Sequence, residues 1–506
     1  MSVRYLSDMV SLRKSLLILV SALSCLRAQD AKPTPPPVPA ETKSADKEPP
    51  LPAEAHVAQT IQLEGKPLHY TATVGTLPVY DKDGKKSGEV VFTAYTVEGE
   101  SRAVTFALNG GPGAASVYLN LGAIGPKRVK FGDEGDSPSD PATLHDNPGT
   151  WLDFTDLVFI DPIGTGFSRS LVSPEESKKQ FYSTENDIRY LSRIIYDWLV
   201  KNGRMSARKY FVGESYGGYR GPRITHYLQS TLGVAMNGVV LVSPYLNPTL
   251  EENGDVSPLP WMLSLPSIAA AHQERQHKLT AESMAPVIAY TRGEYATDLM
   301  KGHSDPEATP RVVKKVTEMT GLELEFVHRA GGRLEIGAYL REVFREQGKI
   351  GSVYDSNVTS FDPFPFASGQ RSGDPILEQI IAPTTTAMVD FVTRVVGWKT
   401  EARYNALSYE VGSQWDGDSN ALRQGAVGDL RQAVGADPKM RVLIAHGWND
   451  LSCPFMGSIL TVDQMPVMGD ASRVSVREYP GGHMFYSRAD SQLMLRKNVQ
   501  EMFAKH

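Results

Sequence analysis

The sequence predicts an α/β architecture, with a mostly parallel central sheet and a largely helical cap inserted late in the chain. Three observations predict it. Short apolar runs recur at 103–108, 157–160, 209–212, 238–243, 440–445 and 474–479, a pattern suited to strands buried on both faces. Helical patterns separate several of them, an alternation that parallel strands require. Between 250 and 436 the strand-like runs give way to helical patterns joined by polar loops, and afterwards the strands return.

At 506 residues the chain can bury a large core, enough for one big α/β unit with an insertion. The formal net charge is -6, which argues against nucleic acid as a partner. Residues 1–28 read as a signal peptide. Arg13 and Lys14 are its basic part and 15–26 its apolar part, too short to span a bilayer. Cleavage is placed after Ala28, and the chain is expected to be exported, periplasmic or secreted. Cys25 offers an alternative as a lipidated anchor. No later apolar stretch is long enough to cross a membrane. The cysteines are Cys25 and Cys453, so a chain without its signal has one and forms no internal disulfide. No metal or other cofactor is expected, because the sequence has no Cys pair, no H-E-x-x-H and no D-x-D-x-D loop.

Residues 29–55, rich in Pro, Ala, Lys and Glu, read as a disordered linker. From 56 to 97 alternating segments with a turn at 81–84 predict antiparallel strands that open the sheet. The strand at 103–108 stops at Asn109-Gly110-Gly111-Pro112-Gly113, whose glycines leave backbone amides uncovered. The strand at 157–160 leads into 161–168. Residues 184–201 predict a helix with Thr184 as its cap. In the cap, Thr280 starts a helix to about 300, Thr309 with Pro310 starts another that Gly321 ends, and 383–398 is amphipathic. The expected divisions are 56–249 and 437–506 for the two parts of the core, and 250–436 for the cap.

Gly213-Glu214-Ser215-Tyr216-Gly217 is a G-x-S-x-G stretch between a strand-like run and a potential helix. In that context the turn lifts the serine above the sheet, and small neighbours avoid collisions. Serine needs a base and an orienting acid. Asp450 follows the strand at 440–445, and His483 follows the strand at 474–479. Ser215, Asp450 and His483 thus occur in the chain order of α/β-hydrolases, each at a strand's carboxyl end. His446 is a rival base, Asp463, Asp416 and Asp418 are rival acids, and Cys453 is a rival nucleophile. None of them matches that order and placement as well.

These segments together resemble the serine carboxypeptidases, peptidase family S10. N-G-G-P-G is matched at 109–113 and G-E-S-Y-[AG]-G at 213–218. The acid segment G-D-x-D-x-x-x-P resembles 447–454, with Trp448 in place of the first aspartate. G-x-G-H-M resembles 481–484, and D-Q-P-x-G-x-G-F-S appears one residue shorter at 161–168. The resemblance runs from about 90 to the end, and parts of the cap look like bacterial members. It implies an α/β-hydrolase that releases C-terminal residues from peptides with a free C-terminus, best at acid pH. It implies the triad Ser215, Asp450 and His483, an oxyanion hole at the amides of Gly111 and Tyr216, and binding of the substrate carboxylate by Asn109, Gly110 and Glu214. One departure matters. The family's second carboxylate-binding glutamate, in E-x-G-P, is replaced by Ala123 in Ala123-Ile124-Gly125-Pro126. This keeps open an esterase or acyltransferase on the same triad. From another class, an inactive binding protein is the third reading.

Overall fold

The computed structural model describes residues 49–505 apart from 100, 132–136, 251–253, 255, 368 and 417–423. The expected signal peptide, Cys25, most of the expected linker and the rival acid Asp418 lie outside the described residues.

Nine strands of the main sheet, numbered along the chain, are β1 (Ala55–Leu63), β2 (Lys66–Tyr80), β3 (Lys86–Thr96), β4 (Ala103–Leu108), β5 (Thr155–Ile160), β6 (Lys209–Glu214), β7 (Gly238–Val242), β8 (Arg441–Gly447) and β9 (Val474–Tyr479). Their spatial order is β1-β2-β3-β5-β4-β6-β7-β8-β9, and the short strand Arg169–Ser170 pairs with β3 as the tenth. β1, β2, β3 and β5 are joined antiparallel. From β5 to β9 every pairing is parallel. The registers align the carboxyl ends: Leu108 lies opposite Gly213, Val242 opposite both Glu214 and Ala445, and Gly447 opposite Tyr479. Chain that leaves β4, β6, β8 and β9 therefore emerges along one edge.

The parallel strands are buried on both faces, and successive residues feed opposite cores. Phe106, Phe211 and Leu241 pack on one face against α1 (Thr184–Lys201) and α2 (Tyr216–Thr231). Tyr210, Val212 and Val240 face the other way, toward Trp398, Leu495 and Val499. The inserted block has its own cluster, built on Leu265 and Ile268 of α3 (Leu259–Arg275) and on Val316, Tyr339 and Leu340. Residues Pro50–His506 form one compact unit.

Several local expectations shift. Ser183, not Thr184, occupies the N-cap position of α1, without a side-chain capping hydrogen bond, and the Thr184 hydroxyl lies 3.1 Å from the Tyr216 hydroxyl. The amphipathic segment expected from 383 belongs to α4 (Pro375–Asp390), which starts earlier because Asp374 caps it with Pro375 in the first turn. Pro383 sits inside this helix. The helix α5 (Val427–Ala436), expected in the cap, buries Leu430, Ala433 and Val434 in the sheet's own core. The linker's last residues are ordered: Glu54 pairs with Lys201 at 2.5 Å, and Leu51 packs on the core. The chain ends in α6 (Ala489–Ala504).

Candidate active site

Ser215 stands alone between β6 and α2 with φ 59° and ψ −123°. Positive φ is uncommon for a residue with a side chain, and here the surroundings enforce it. The Ser215 amide donates to the Val242 carbonyl at 3.0 Å, and its carbonyl accepts from Tyr245 at 3.1 Å. Crowding dictates glycine nearby. A Cβ on Gly217 would lie 2.3 Å from the Leu108 carbonyl oxygen, and one on Gly110 would lie 2.5 Å from the Tyr216 nitrogen. The loop after β4 and the turn after β6 thus pack backbone to backbone. Among the described residues, neither the Gly111 nor the Tyr216 amide donates to a protein acceptor. Two uncommitted amides at this corner suit a developing oxyanion.

Asp450 and His483 lie on the loops after β8 and β9. His483 Nδ1 is 2.8 Å from Asp450 Oδ2. The other oxygen, Oδ1, accepts from the amides of Ser452 at 2.8 Å and Cys453 at 2.9 Å. The carboxylate is therefore fixed as well as buried. The His483 amide donates to the Tyr354 carbonyl at 2.5 Å, and its carbonyl accepts from the Ser243 hydroxyl at 2.8 Å. Burial opposes the charged imidazole, but the Asp450 carboxylate, helped by Glu214, outweighs it and raises the His483 pKa. Among the described residues no hydrogen bond joins the Ser215 hydroxyl to His483. Such bonds are commonly long in unliganded sites and tighten with substrate.

Glu214, 3% exposed, is the residue before the serine. Its Oε2 accepts from Asn109 Nδ2 at 2.7 Å and from the Tyr486 hydroxyl at 2.7 Å. Burial pushes its pKa up to about 7, with the His483 charge and these two hydrogen bonds working the other way. Asn109 Oδ1 accepts the Leu119 amide at 2.9 Å, which fixes the amide's orientation. Ala123 is fully buried and brings no carboxyl to this site.

The model of the family described as Serine carboxypeptidase matches residues 82–330. Over this stretch, just under half of its length, the chain is similar to that family. The matched stretch holds Asn109, Gly111 and Ser215 and ends before Asp450 and His483. Among curated relatives, serine carboxypeptidase-like 36 of Arabidopsis thaliana is 29% identical over 199 residues, which is 38% of this chain and 39% of that protein. The pheromone-processing carboxypeptidase kex1 of Schizosaccharomyces pombe is 28% identical over 159 residues, 31% of this chain and 28% of that protein. The chain thus spans well under half the length of these relatives. The crystal structure of a prohormone-processing carboxypeptidase from Saccharomyces cerevisiae superposes with a TM-score of 0.53 at 16% identity, covering 86% of this chain and 91% of that one. The fold is that of the α/β-hydrolases.

The rival residues have other occupations. His446 Nε2 lies 2.8 Å from the Ser458 hydroxyl, and burial pulls its pKa down to about 3. Cys453 is buried and gives its amide to Asp450. Asp463 pairs with the exposed Arg292. Asp416 donates its amide to the Tyr182 carbonyl at 2.9 Å. Two contributors were not singled out from the sequence. Tyr486, three residues after His483, reaches back to Glu214; its nearness to the histidine segment is the available signal. Tyr354, from the inserted block, holds the His483 amide and sets its ring 5.1 Å from the imidazole; no motif marks it.

Proposed function

We propose that the protein is a serine carboxypeptidase that releases C-terminal residues from peptides through an acyl-enzyme. The observation that carries this reading is the His483–Asp450 pair at 2.8 Å, held at the same sheet edge as a strained Ser215. Asp450 fixes the imidazole with Nδ1 protonated, which leaves Nε2 as the base for the Ser215 proton. Ser215 attacks the last peptide carbonyl. The amides of Gly111 and Tyr216 receive the oxyanion, and His483 returns the proton to the leaving amine. Water, activated by the same imidazole, then frees the shortened peptide. Asn109, Gly110 and a protonated Glu214 receive the substrate carboxylate. Glutamate can donate to a carboxylate only while it holds its proton, which a pKa near 7 permits below neutrality. The basic and apolar opening of the sequence supports export, either cleaved or lipidated at Cys25. Among the described residues no helix is long and apolar enough to cross a membrane.

The buried Ala123 favours a second reading, an esterase or acyltransferase on the same groups. One experiment separates the two. An N-blocked dipeptide is assayed beside its C-terminal amide and methyl ester, with Ser215→Ala as control. Free amino acid from the acid form, reduced by roughly 10⁴-fold or more in the variant, is the expected result. Ester turnover alone moves the assignment to the second reading, and full activity of S215A overturns both.

A further inference from the structure

A cavity of about 650 Å³ opens beside the candidate site. Gly482 and Met484, which flank His483, contribute to its wall. Tyr486 belongs to both places: its hydroxyl donates to Glu214 while the residue lines the cavity. Most charges in this wall are neutralised within the protein. Asp355 pairs with Arg488 at 2.7 Å, and Arg488 pairs also with Glu274. Asp146 pairs with Lys127 at 2.6 Å and accepts the Gln62 amide at 2.7 Å. His145 Nε2 lies 3.0 Å from the Thr143 hydroxyl.

Two cations remain. Among the described residues neither Arg128 nor Lys130 has a carboxylate partner. Lys130 is exposed, but Arg128 is partly buried and donates only to neutral acceptors, Gln492 Oε1 at 3.0 Å and the Ser487 carbonyl. A guanidinium partly withdrawn from water, with no carboxylate partner among the described residues, is costly, and an entering anion offsets part of the cost. Burial pulls its pKa below the ordinary arginine value, with only Tyr486 acting against it. The location is telling. Gln492 links Arg128 to the Ala123 carbonyl, donating to that carbonyl at 2.5 Å. Arg128 thus stands one side chain away from the position where the resemblance expects a carboxylate-binding glutamate. Ile376 and Ile380 give the same cavity an apolar wall that suits methylene groups.

We propose that Arg128 binds a carboxylate of the residue that the reaction releases, with Lys130 at the rim adding attraction. The proposal rests on the carboxypeptidase reading above. A guanidinium holds a carboxylate without either group needing a proton, unlike a pair of carboxyls. The carboxylate has two sources, the side chain of an acidic terminal residue or the α-carboxylate itself, and the substrates separate them.

The test measures kcat/KM of wild type, Arg128→Gln and Arg128→Lys on N-blocked peptides ending in Glu, Gln and Leu, and on the α-amide of the Glu peptide. A side-chain contact predicts that Glu exceeds Gln by about tenfold in wild type and that the ratio collapses in R128Q, with the Gln peptide unchanged. An α-carboxylate contact predicts that all three free acids fall together by about tenfold in R128Q while the amide does not. R128K keeps part of the effect in either case, because it retains charge without the fork. A folded R128Q whose every kcat/KM stays within about twofold of wild type overturns the proposal. A second measurement needs no turnover: free glutamate raises the Tm of wild type and not that of R128Q. If the wild type released no residue from any peptide, the carboxypeptidase reading would fall, and an equal Tm shift in both proteins would then overturn the role of Arg128 separately.

Discussion

Glu214 is a residue of the candidate site whose chemistry is strongly displaced by its surroundings. Its folded pKa of about 7 lies above the ordinary value of 4.5, with burial as the first cause. Between those values the folded chain holds a proton that the unfolded chain has lost. Stability from this group is therefore full below about pH 4.5 and is lost as pH rises through about 7, by roughly 3 kcal/mol in all. Urea midpoints at pH 5 and pH 8 measure the loss. E214Q should flatten most of it, leaving a remainder of the same sign from His483, whose pKa is also raised; an unchanged slope would show that Glu214 is not the source. The kinetic consequence separates substrates. As the proposed base, His483 must be neutral, which gives an acid limb. In its proposed role Glu214 must be protonated to receive a carboxylate, which gives an alkaline limb, and the two groups titrate as a coupled pair. We expect a bell-shaped kcat/KM for a free-acid peptide and a plateau at high pH for its methyl ester. An ester profile that also falls above neutrality would remove Glu214 from carboxylate recognition.

At the scale of elements, α2 does more than carry the serine. Arg220, 1% exposed, turns inward, pairs with Asp187 of α1 at 2.6 Å and donates to the Asn109 carbonyl at 2.8 Å. One guanidinium therefore ties two helices to the start of the glycine-rich loop. Arg220→Met leaves the Asp187 carboxylate buried without its counter-charge and should cost about 3–5 kcal/mol. The double variant with Asp187→Leu should recover much of that, because two apolar groups replace the pair. Chemical denaturation of both proteins checks the expectation, and equal losses in the single and double variants would refute it. The sequence made α2 and its starting point legible through the glycines around Ser215. It did not reveal Arg220, because an arginine in a helical pattern is assigned to the surface unless a buried partner is visible. Helix α4 failed for a related reason. Pro383 looks like a beginning, yet the capping Asp374 and Pro375 lie eight or more residues earlier and the helix tolerates the internal proline.

At the scale of the whole molecule, the legible features were those that each need only a few neighbouring residues: apolar strands, the turns that end them, and Ser215, Asp450 and His483 just after strand ends. What the sequence hid joins segments far apart. Glu274, at the end of α3 in the inserted block, accepts from Asn449 at 2.6 Å and Asn357 at 2.7 Å, and it also pairs with Arg488. Asn449 precedes Asp450, and Arg488 follows His483 by five residues, so one carboxylate spans both loops of the candidate site. The backbone reinforces the junction, with the Leu451 amide donating to the Val353 carbonyl at 3.0 Å. No local pattern announces such contacts, since their partners are 175 and 214 positions away in sequence. Glu274 is thus a positioning residue. It touches no reacting atom and acts by holding the loops against the inserted block. Glu274→Ala removes the acceptor that three donors share at a partly buried junction, though Arg488 keeps Asp355 and Asn357 keeps the Ala271 carbonyl, and should cost about 1–3 kcal/mol. If the junction positions Asp450, kcat falls by about tenfold or more while KM changes little, and amide exchange quickens at 352–358 and 449–453 with the sheet still protected. Faster exchange across the whole sheet with kcat preserved would mean that Glu274 supports only global stability, and the loops of the candidate site would then owe their geometry to the sheet edge alone.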